Sequence, residues 1–448
     1  MIALAEDTEA KVSACENAVG QSLTSQQSRP IRPLPEVMAA IESCAALPLE
    51  DAVTTPPEAY TSEEYYQWEV TNIFHREWQC VAHVSQIPKP GDFLNLDLLG
   101  EPLIVVRGKD ESVRVLSRVC PHRGMDIMPP GFGHEGHGVA ESRGSESNCG
   151  HTRLFLCPYH AWTFELDGKL KACPEMQQAR GFKRDDHGLM PFRTEIWRGF
   201  IFVNFDGQAA PLGERLSEMN VDFGDWHSED MQVIIEREWD CPFNWKVLVE
   251  NFMESYHHLG AHAKTLQPMM PARDTWNEQE RDSYVRCHLP FKEALVAEWE
   301  AMEKAGGNPF GFPTIQSLAD WKKKESGLFL IYPNFLTFVL PDRVVWYRVQ
   351  PMGPHRMKLL TTMLVPKSTT EHLEFPEMLT RETKMLIDFH LEDMEMCTAI
   401  QRGMRSLGAQ QGRLSHLEMS VWLMQRYLAA RGRGSWPGQD RPAAPAQR

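Results

Sequence analysis

The chain lacks most of the features that would assign its class at a glance. No stretch approaches the roughly 18 consecutive apolar residues of a membrane-spanning helix, so no membrane association is expected. Basic charge is in short supply: 46 Lys and Arg stand against 61 Asp and Glu, a formal charge of −15. That is the wrong sign for a dedicated nucleic-acid or anionic-membrane binder, both of which need a basic face. The ten cysteines are scattered and form no compact disulfide framework, so most read as buried thiols and a few as ligands. The opening "MIALAEDTEAKVSACENAV" has acids where a signal peptide needs basic and then apolar residues, and a cytoplasmic protein is expected. No repeat of 20–50 residues is visible. One literal dinucleotide fingerprint, Gly131-x-Gly133-x-x-Gly136, neither ends a strand nor opens a helix and is set aside.

What is present suits a globular protein of two domains. The 448 residues are 42% apolar and 24% charged, ordinary values for a chain with a sizeable core. Residues 1–36, polar and punctuated by proline, read as a disordered arm, and 433–448, rich in Gly, Pro and Ala, as a disordered tail. The text turns β-like early. "PLIVVRGKDESVRVLSRVC" reads as strand, turn, strand; "RLFLCPYHAWTFELDGKL" closes on the turn-former Asp167-Gly168; "EIWRGFIFVNFD" reads as a further buried strand. A small all-β domain is placed at about 60–205, with a helical lead-in from 37. An α+β domain at 206–432 follows, in which antiparallel strands around 327–365 are flanked by helices at 240–260, 376–406 and 413–430.

Two Cys-plus-His pairs lie in the β domain: Cys120-Pro-His122 and Cys157-Pro-Tyr-His160. Two thiolates and two imidazoles suit a tetrahedral zinc site or a [2Fe–2S] cluster with Cys₂ on one iron and His₂ on the other. Zinc sites of this composition usually keep like ligands together. Here each turn supplies one of each, which favours the two-iron cluster. The text between the pairs is long and Gly/Ser-rich. It brings His134, His137, Cys149 and His151, a second but weaker zinc candidate that reads more simply as a surface loop.

The second constellation is "ENFMESYHHLGAH", residues 250–262. On a helical wheel Trp245, Leu248, Val249, Phe252, Tyr256 and Leu259 form one stripe, read as packed core. Glu250, Asn251, Glu254, His257 and His258 fall on the other side, and Gly260 lets His262 turn back towards His257. In "MLIDFHLEDMEMCTAIQRGM" the stripe Leu386, Phe389, Met396, Cys397, Ile400 and Met404 contains Asp393, while Asp388, Glu392 and Glu395 point away. A carboxylate inside an apolar stripe is costly unless it meets a cation or metal. Glu382 falls on the same stripe, so periodicity leaves two candidates. Two histidines and one carboxylate with open positions make the facial triad that holds Fe(II), and His257, His262 and Asp393 are the expected set.

The combination of "CPHRG…CPYHAW" with "NWKVLVENFMESYHHLGAH" resembles the large (alpha) subunit of the Rieske non-haem iron oxygenases over about residues 60–430. The resemblance implies an α+β chain with an N-terminal Rieske domain and a catalytic domain of antiparallel sheet flanked by helices. It implies a cluster on Cys120, His122, Cys157 and His160, and a mononuclear Fe(II) on His257 and His262. Asp393 is selected over Glu382 as third ligand because Gln401-Arg402-Gly403 follows it. Head-to-tail trimers are the family's habit, each cluster feeding the iron of the next subunit past an acid. That acid is Glu254 by position, with His160 across the interface, and Asn251 is a candidate to orient the iron's water. His258 is expected behind the metal ligands or exposed. The glutamate and its spacing are similar to the carnitine and glycine-betaine oxygenase branch, which oxidises carbon next to nitrogen. The expected activity is O₂-dependent hydroxylation of a C–H beside nitrogen in a small substrate, with cis-dihydroxylation of an arene and bare electron transfer as alternatives. No credible nicotinamide or flavin motif is present, so electrons from NAD(P)H must arrive through a separate reductase or ferredoxin.

Overall fold

The computed structural model describes residues 28–128, 149–437 and 439–440, and divides into two units, Trp78–Ala209 and Met1–Glu77 with Ala210–Arg448. The smaller unit is all-β. Strands β1 (Gln79–His83), β2 (Asp92–Leu98), β3 (Glu101–Arg107), β4 (Val113–Ser117) and β5 (Cys149–His151) precede the short β6 (Phe155–Leu156), β7 (Thr163–Phe164) and β8 (Leu170–Ala172). β9 (Pro191–Trp197) and β10 (Phe200–Asn204) complete it. Seven of them form one sheet in the order β1-β10-β9-β4-β3-β2-β5, and β6-β7-β8 form a second. The run Leu103–Val106 has no polar residue because successive side chains enter different cores. Ile104, Val106 and Leu116 pack with Cys120, Cys157 and Trp162, whereas Leu103, Val105 and Val115 pack with Ile201 and Val203. "EIWRGFIFVNF" is a hairpin of two strands where one was expected: Arg198 and Gly199 take φ of +48° and +81°, a two-residue turn whose twist matches the flanking strands.

The larger unit is built on seven antiparallel strands in the order β11-β17-β16-β15-β14-β13-β12. They are β11 (Met231–Cys241), β12 (Trp276–Asn277), β13 (Tyr284–Pro290), β14 (Glu325–Ile331), β15 (Phe335–Leu340), β16 (Arg343–Pro351) and β17 (Met357–Pro366). The helices that matter are α1 (Leu34–Ala45), α2 (Trp245–Phe252), α3 (Phe375–Met404) and α4 (Met419–Gly432). Asn244 caps α2, its side chain accepting from the Lys246 N–H at 3.0 Å.

Four expectations change. The lead-in 37–77 belongs to the larger unit, because its polar groups find their partners there. Lys246 and Glu69, neither exposed, pair at 2.6 Å, and Trp422 of α4 donates to the Leu47 carbonyl at 2.9 Å. The arm is ordered at its end, since α1 begins at Leu34 with Pro35 in its first turn; residues 1–27 lie outside the described residues. In the expected tail, Trp436 is buried under the Arg431 guanidinium. The helix expected at 240–260 is only eight residues long. Beyond Phe252 the chain leaves α-geometry and re-enters as a 3₁₀ turn, Tyr256–Leu259. The wheel therefore loses phase: Trp245, Leu248 and Val249 are buried, but Tyr256 and Leu259 are exposed.

The Tyr60 hydroxyl reaches both oxygens of Glu250, at 2.8 and 2.7 Å. Burial pushes the Glu250 carboxyl up to about 7 against the opposing pull of Tyr60 and Lys246. The folded chain therefore holds this proton more tightly than the unfolded one. The corresponding stability is present below the ordinary glutamate range and is lost as pH rises towards 7. Melting temperatures of Glu250→Gln and the parent should diverge in the variant's favour as pH rises from about 5 to about 8. A constant difference across that range contradicts this assignment.

Candidate metal centres

In the smaller unit the two Cys-plus-His turns are backbone copies of one another. Cys120 N–H donates to the Met125 carbonyl at 2.8 Å and receives Gly124 N–H on its own carbonyl at 3.0 Å. Cys157 repeats this with Trp162 at 2.8 Å and Ala161 at 3.1 Å. The fifth residue of each turn is left-handed, Gly124 at φ +69° and Ala161 at +57°. Both thiols are buried, and the His122 and His160 rings stand 4.7 Å apart. His122 lies flat on Trp162, ring centroids 4.7 Å apart and planes 2° from parallel, which fixes its orientation. The first turn is anchored by Arg118, fully buried, whose guanidinium meets Asp97 at 2.6 Å and Asp126 at 2.9 Å. Nothing in the text "SRVCPHRGMD" marked Arg118 as more than a strand-end cation.

The donor set fits an iron–sulfur cluster. Burial and the adjacent Cys157 push the Cys120 thiol up to about 11, so Cys120 has no tendency to ionise by itself. A bound cation inverts that balance and takes both as thiolates. His122 is held below the usual imidazole range by burial, His160 and Arg123, which keeps it in the neutral, ligating form. Of the alternative zinc set, His134 and His137 lie outside the described residues; Cys149 is exposed and His151 Nδ1 meets Asp92 at 2.9 Å.

In the larger unit α2, the 3₁₀ turn and α3 bring His257, His262 and Asp393 together. One ligand atom from each lies within 4.8 Å of the other two, the only such His/Cys/Asp/Glu group among the described residues. His262 Nε2 is 2.9 Å from Asp393 Oδ1 and His257 Nε2 is 3.6 Å from the same oxygen. Asn251 donates its amide to that oxygen at 3.3 Å. The outer nitrogens are also held by carboxylates. His257 Nδ1 donates to Glu254 at 2.7 Å, and Glu254 further accepts the His257 backbone N–H at 3.1 Å. His262 Nδ1 donates to Glu392 at 2.7 Å. Burial opposes ionisation of Asp393, but the hydrogen bond and charge of His262 hold it below the usual carboxylate range. His262 is raised in return by Asp393 and Glu392, which outweigh its burial. Two imidazoles whose Nε2 atoms converge on one carboxylate fit a divalent metal with open positions.

His258 packs beside both rings, donates Nδ1–H to the Met270 carbonyl at 3.1 Å, and is lowered to about 4 by burial and His257. Glu382, the rival third ligand, is committed elsewhere: it binds Arg343 at 2.8 Å and Arg381 at 2.8 Å. Gln401 braces α3 against the start of α2, accepting the Asn244 N–H at 2.8 Å and donating to the Tyr60 carbonyl at 3.1 Å. Two sequence readings on α3 are corrected. Met396 and Ile400 are exposed because the buried face runs through Leu386, His390, Met394 and Cys397. Glu392 does not point away. A helix neighbour of Asp393 reaches the opposite nitrogen of the same imidazole, which a wheel cannot show.

Removing one partner of a buried ion group leaves the other uncompensated. Glu382→Ala should cost about 3 kcal/mol in urea unfolding, while the folded fraction keeps its mononuclear metal. Loss of that metal together with the stability would return Glu382 to the ligand set.

Two family models match the chain: a Rieske [2Fe–2S] domain over residues 77–183 and a ring-hydroxylating alpha subunit catalytic domain over 224–433. The carnitine monooxygenase oxygenase subunit of Acinetobacter pittii is 28% identical over 375 residues, 81% of this chain and 88% of the relative. The biphenyl 2,3-dioxygenase subunit alpha of Rhodococcus jostii is 32% identical over 305 residues, 66% of this chain and 56% of the relative. A crystal structure of a quaternary ammonium Rieske monooxygenase in complex with an inhibitor superposes with a TM-score of 0.69 at 25% identity, covering 90% of this chain and 99% of that one. The chain belongs to the alpha subunits of the Rieske non-haem iron oxygenases, oxidoreductases that work with a Rieske [2Fe–2S] cluster, a mononuclear iron and electrons supplied by a reductase.

Proposed function

We propose that the protein is the terminal oxygenase of a monooxygenase system that hydroxylates a C–H bond next to nitrogen, so removing an N-methyl or other N-alkyl group from a small substrate. The observation that carries the oxygenase reading is the convergence of His257, His262 and Asp393, a two-histidine, one-carboxylate set that would hold a divalent iron with positions to spare. The preference for carbon beside nitrogen rests on the Glu254 spacing and on relatives named carnitine and glycine betaine monooxygenase oxygenase subunits. A specific observation also supports cis-dihydroxylation of an arene, namely the 32% identity to a biphenyl dioxygenase subunit.

In this reading Cys120, His122, Cys157 and His160 hold the cluster, and His257, His262 and Asp393 hold the mononuclear iron. The cluster supplies electrons and the iron supplies O₂ activation. The chain's own residues position and dry the site. Asn251 fixes the carboxylate of Asp393, and Glu254 fixes the His257 ring with its Nε2 turned inward. In a homotrimer, Glu254 also contacts His160 of a neighbouring copy, joining the two redox centres. The reaction consumes two electrons and two protons: one oxygen atom enters the C–H bond and the other leaves as water. The resulting hemiaminal collapses to an aldehyde and the dealkylated amine.

Metal and sulfide analysis of anaerobically purified protein should give about three irons to two sulfides, falling to about two irons in Asp393→Ala. Equal iron content in parent and variant removes the mononuclear site from Asp393. With ¹⁸O₂ and an N-methyl substrate, one labelled atom should appear in the aldehyde; a diol carrying both atoms selects the dioxygenase reading.

A further inference from the structure

We propose that Glu392 is a positioning residue for the mononuclear metal, setting the tautomer and ring orientation of His262; this rests on His262 and Asp393 being metal ligands. An imidazole ligates through a nitrogen that carries no proton, so the other nitrogen must keep one and needs an acceptor for it. His262 is completely buried, and its Nδ1 has an acceptor in Glu392 at 2.7 Å. Glu392 is in turn held by the Thr265 hydroxyl, which donates to the same Oε2 at 2.8 Å. Thr265 is three residues past His262, so the loop that delivers the imidazole also delivers the clamp on its acceptor.

The arrangement mirrors the other half of the site. Glu254 lies three residues before His257 and binds its Nδ1; Glu392 lies one residue before Asp393 and binds the Nδ1 of His262. Each imidazole thus has a carboxylate outside and Asp393 inside. The source of the acceptor differs, however. Glu254 comes from the same segment as its histidine, whereas Glu392 reaches His262 from α3 across 130 residues of sequence. Neighbours on one helix project about 100° apart. Asp393 and Glu392 can therefore meet Nε2 and Nδ1 of one ring only if that ring lies between them. His262 is held at both nitrogens by a single helix turn, which makes α3 a template for the loop ligand as well as the donor of its own. The Glu392 side chain is about a third exposed, at 36%, so its replacement leaves no buried void.

The test is Co(II) binding to the full-length protein, stripped of mononuclear iron but retaining its oxidised, EPR-silent cluster. Affinity is read by equilibrium dialysis and geometry by the Co(II) EPR signal. Glu392→Ala should weaken Co(II) binding by about 10- to 100-fold and alter the signal. Glu392→Gln, whose carbonyl still accepts from Nδ1–H, should stay within a few-fold of the parent. Circular dichroism and the cluster's absorption should be unchanged in both, as alanine and glutamine are good helix formers. A Glu392→Ala protein within twofold of the parent, or a glutamine variant as weak as the alanine one, overturns the proposal. Asp393→Ala is the reference. If it binds Co(II) like the parent, the ligand reading falls and the positioning role falls with it; if it alone loses Co(II), only the role of Glu392 falls.

Discussion

A carboxylate on the buried side of a helix sets the terms for the larger unit. Asp393, half-buried, follows the buried face that Leu386, His390, Met394 and Cys397 form, where an ionised oxygen is costly without a compensating charge. The compensation comes from His262 and His257, delivered by a segment that cannot remain α-helical and still present both rings. The early end of α2 at Phe252, the 3₁₀ turn and the return to His262 are the local consequences. Gln401 and Asn244 then lock the start of α2 to the far end of α3, so the two elements that meet at Asp393 are fixed to each other at a second point.

The smaller unit solves a related problem by repetition. Two buried thiols are placed side by side on two turns with the same backbone hydrogen bonds and the same left-handed fifth residue. Glycine meets that conformation freely at 124. At 161 an alanine accepts it at a cost of about 1 kcal/mol, and the sequence keeps it there next to the Trp162 ring that supports His122. In both units the candidate ligands have partners one layer out: Trp162 against His122 and Arg118 under its turn in one, and Glu254, Glu392 and Asn251 on His257, His262 and Asp393 in the other.

The larger unit also buries charged groups that take no part in the candidate metal site. Glu77 lies between Arg215 at 2.7 Å and Arg431 at 2.9 Å, and Arg343 between Asp342 at 2.9 Å and Glu382 at 2.8 Å. Such groups add little net stability over apolar packing, but a broken one is heavily penalised, so they define which elements belong together. The Lys246–Glu69 pair does this for the N-terminal helices, tying them to α2.

Both donor sets were legible in the sequence as candidates, and the resemblance, more than the residues alone, pointed to their chemistry. Cys120, His122, Cys157 and His160 were legible because donor type and spacing within a turn are local properties. His257 and His262 were legible for the same reason. Asp393 was legible as an anomaly of periodicity, although only the resemblance separated it from Glu382; the structure shows why, since neither is exposed and each has partners of its own, histidines for Asp393 and arginines for Glu382. The strand text was read correctly wherever alternation or a turn dipeptide was strong, and the Arg198-Gly199 turn was missed because only its left-handed φ pair marks it. What tertiary structure alone decided is which long-range partner each polar group meets. The lead-in helices joined the catalytic unit through Lys246 and Glu250, and Glu392 turned from an outward-facing acid into the acceptor of His262. Contacts across 130 to 190 residues depend on how helices cross, and no period along a single helix carries that information.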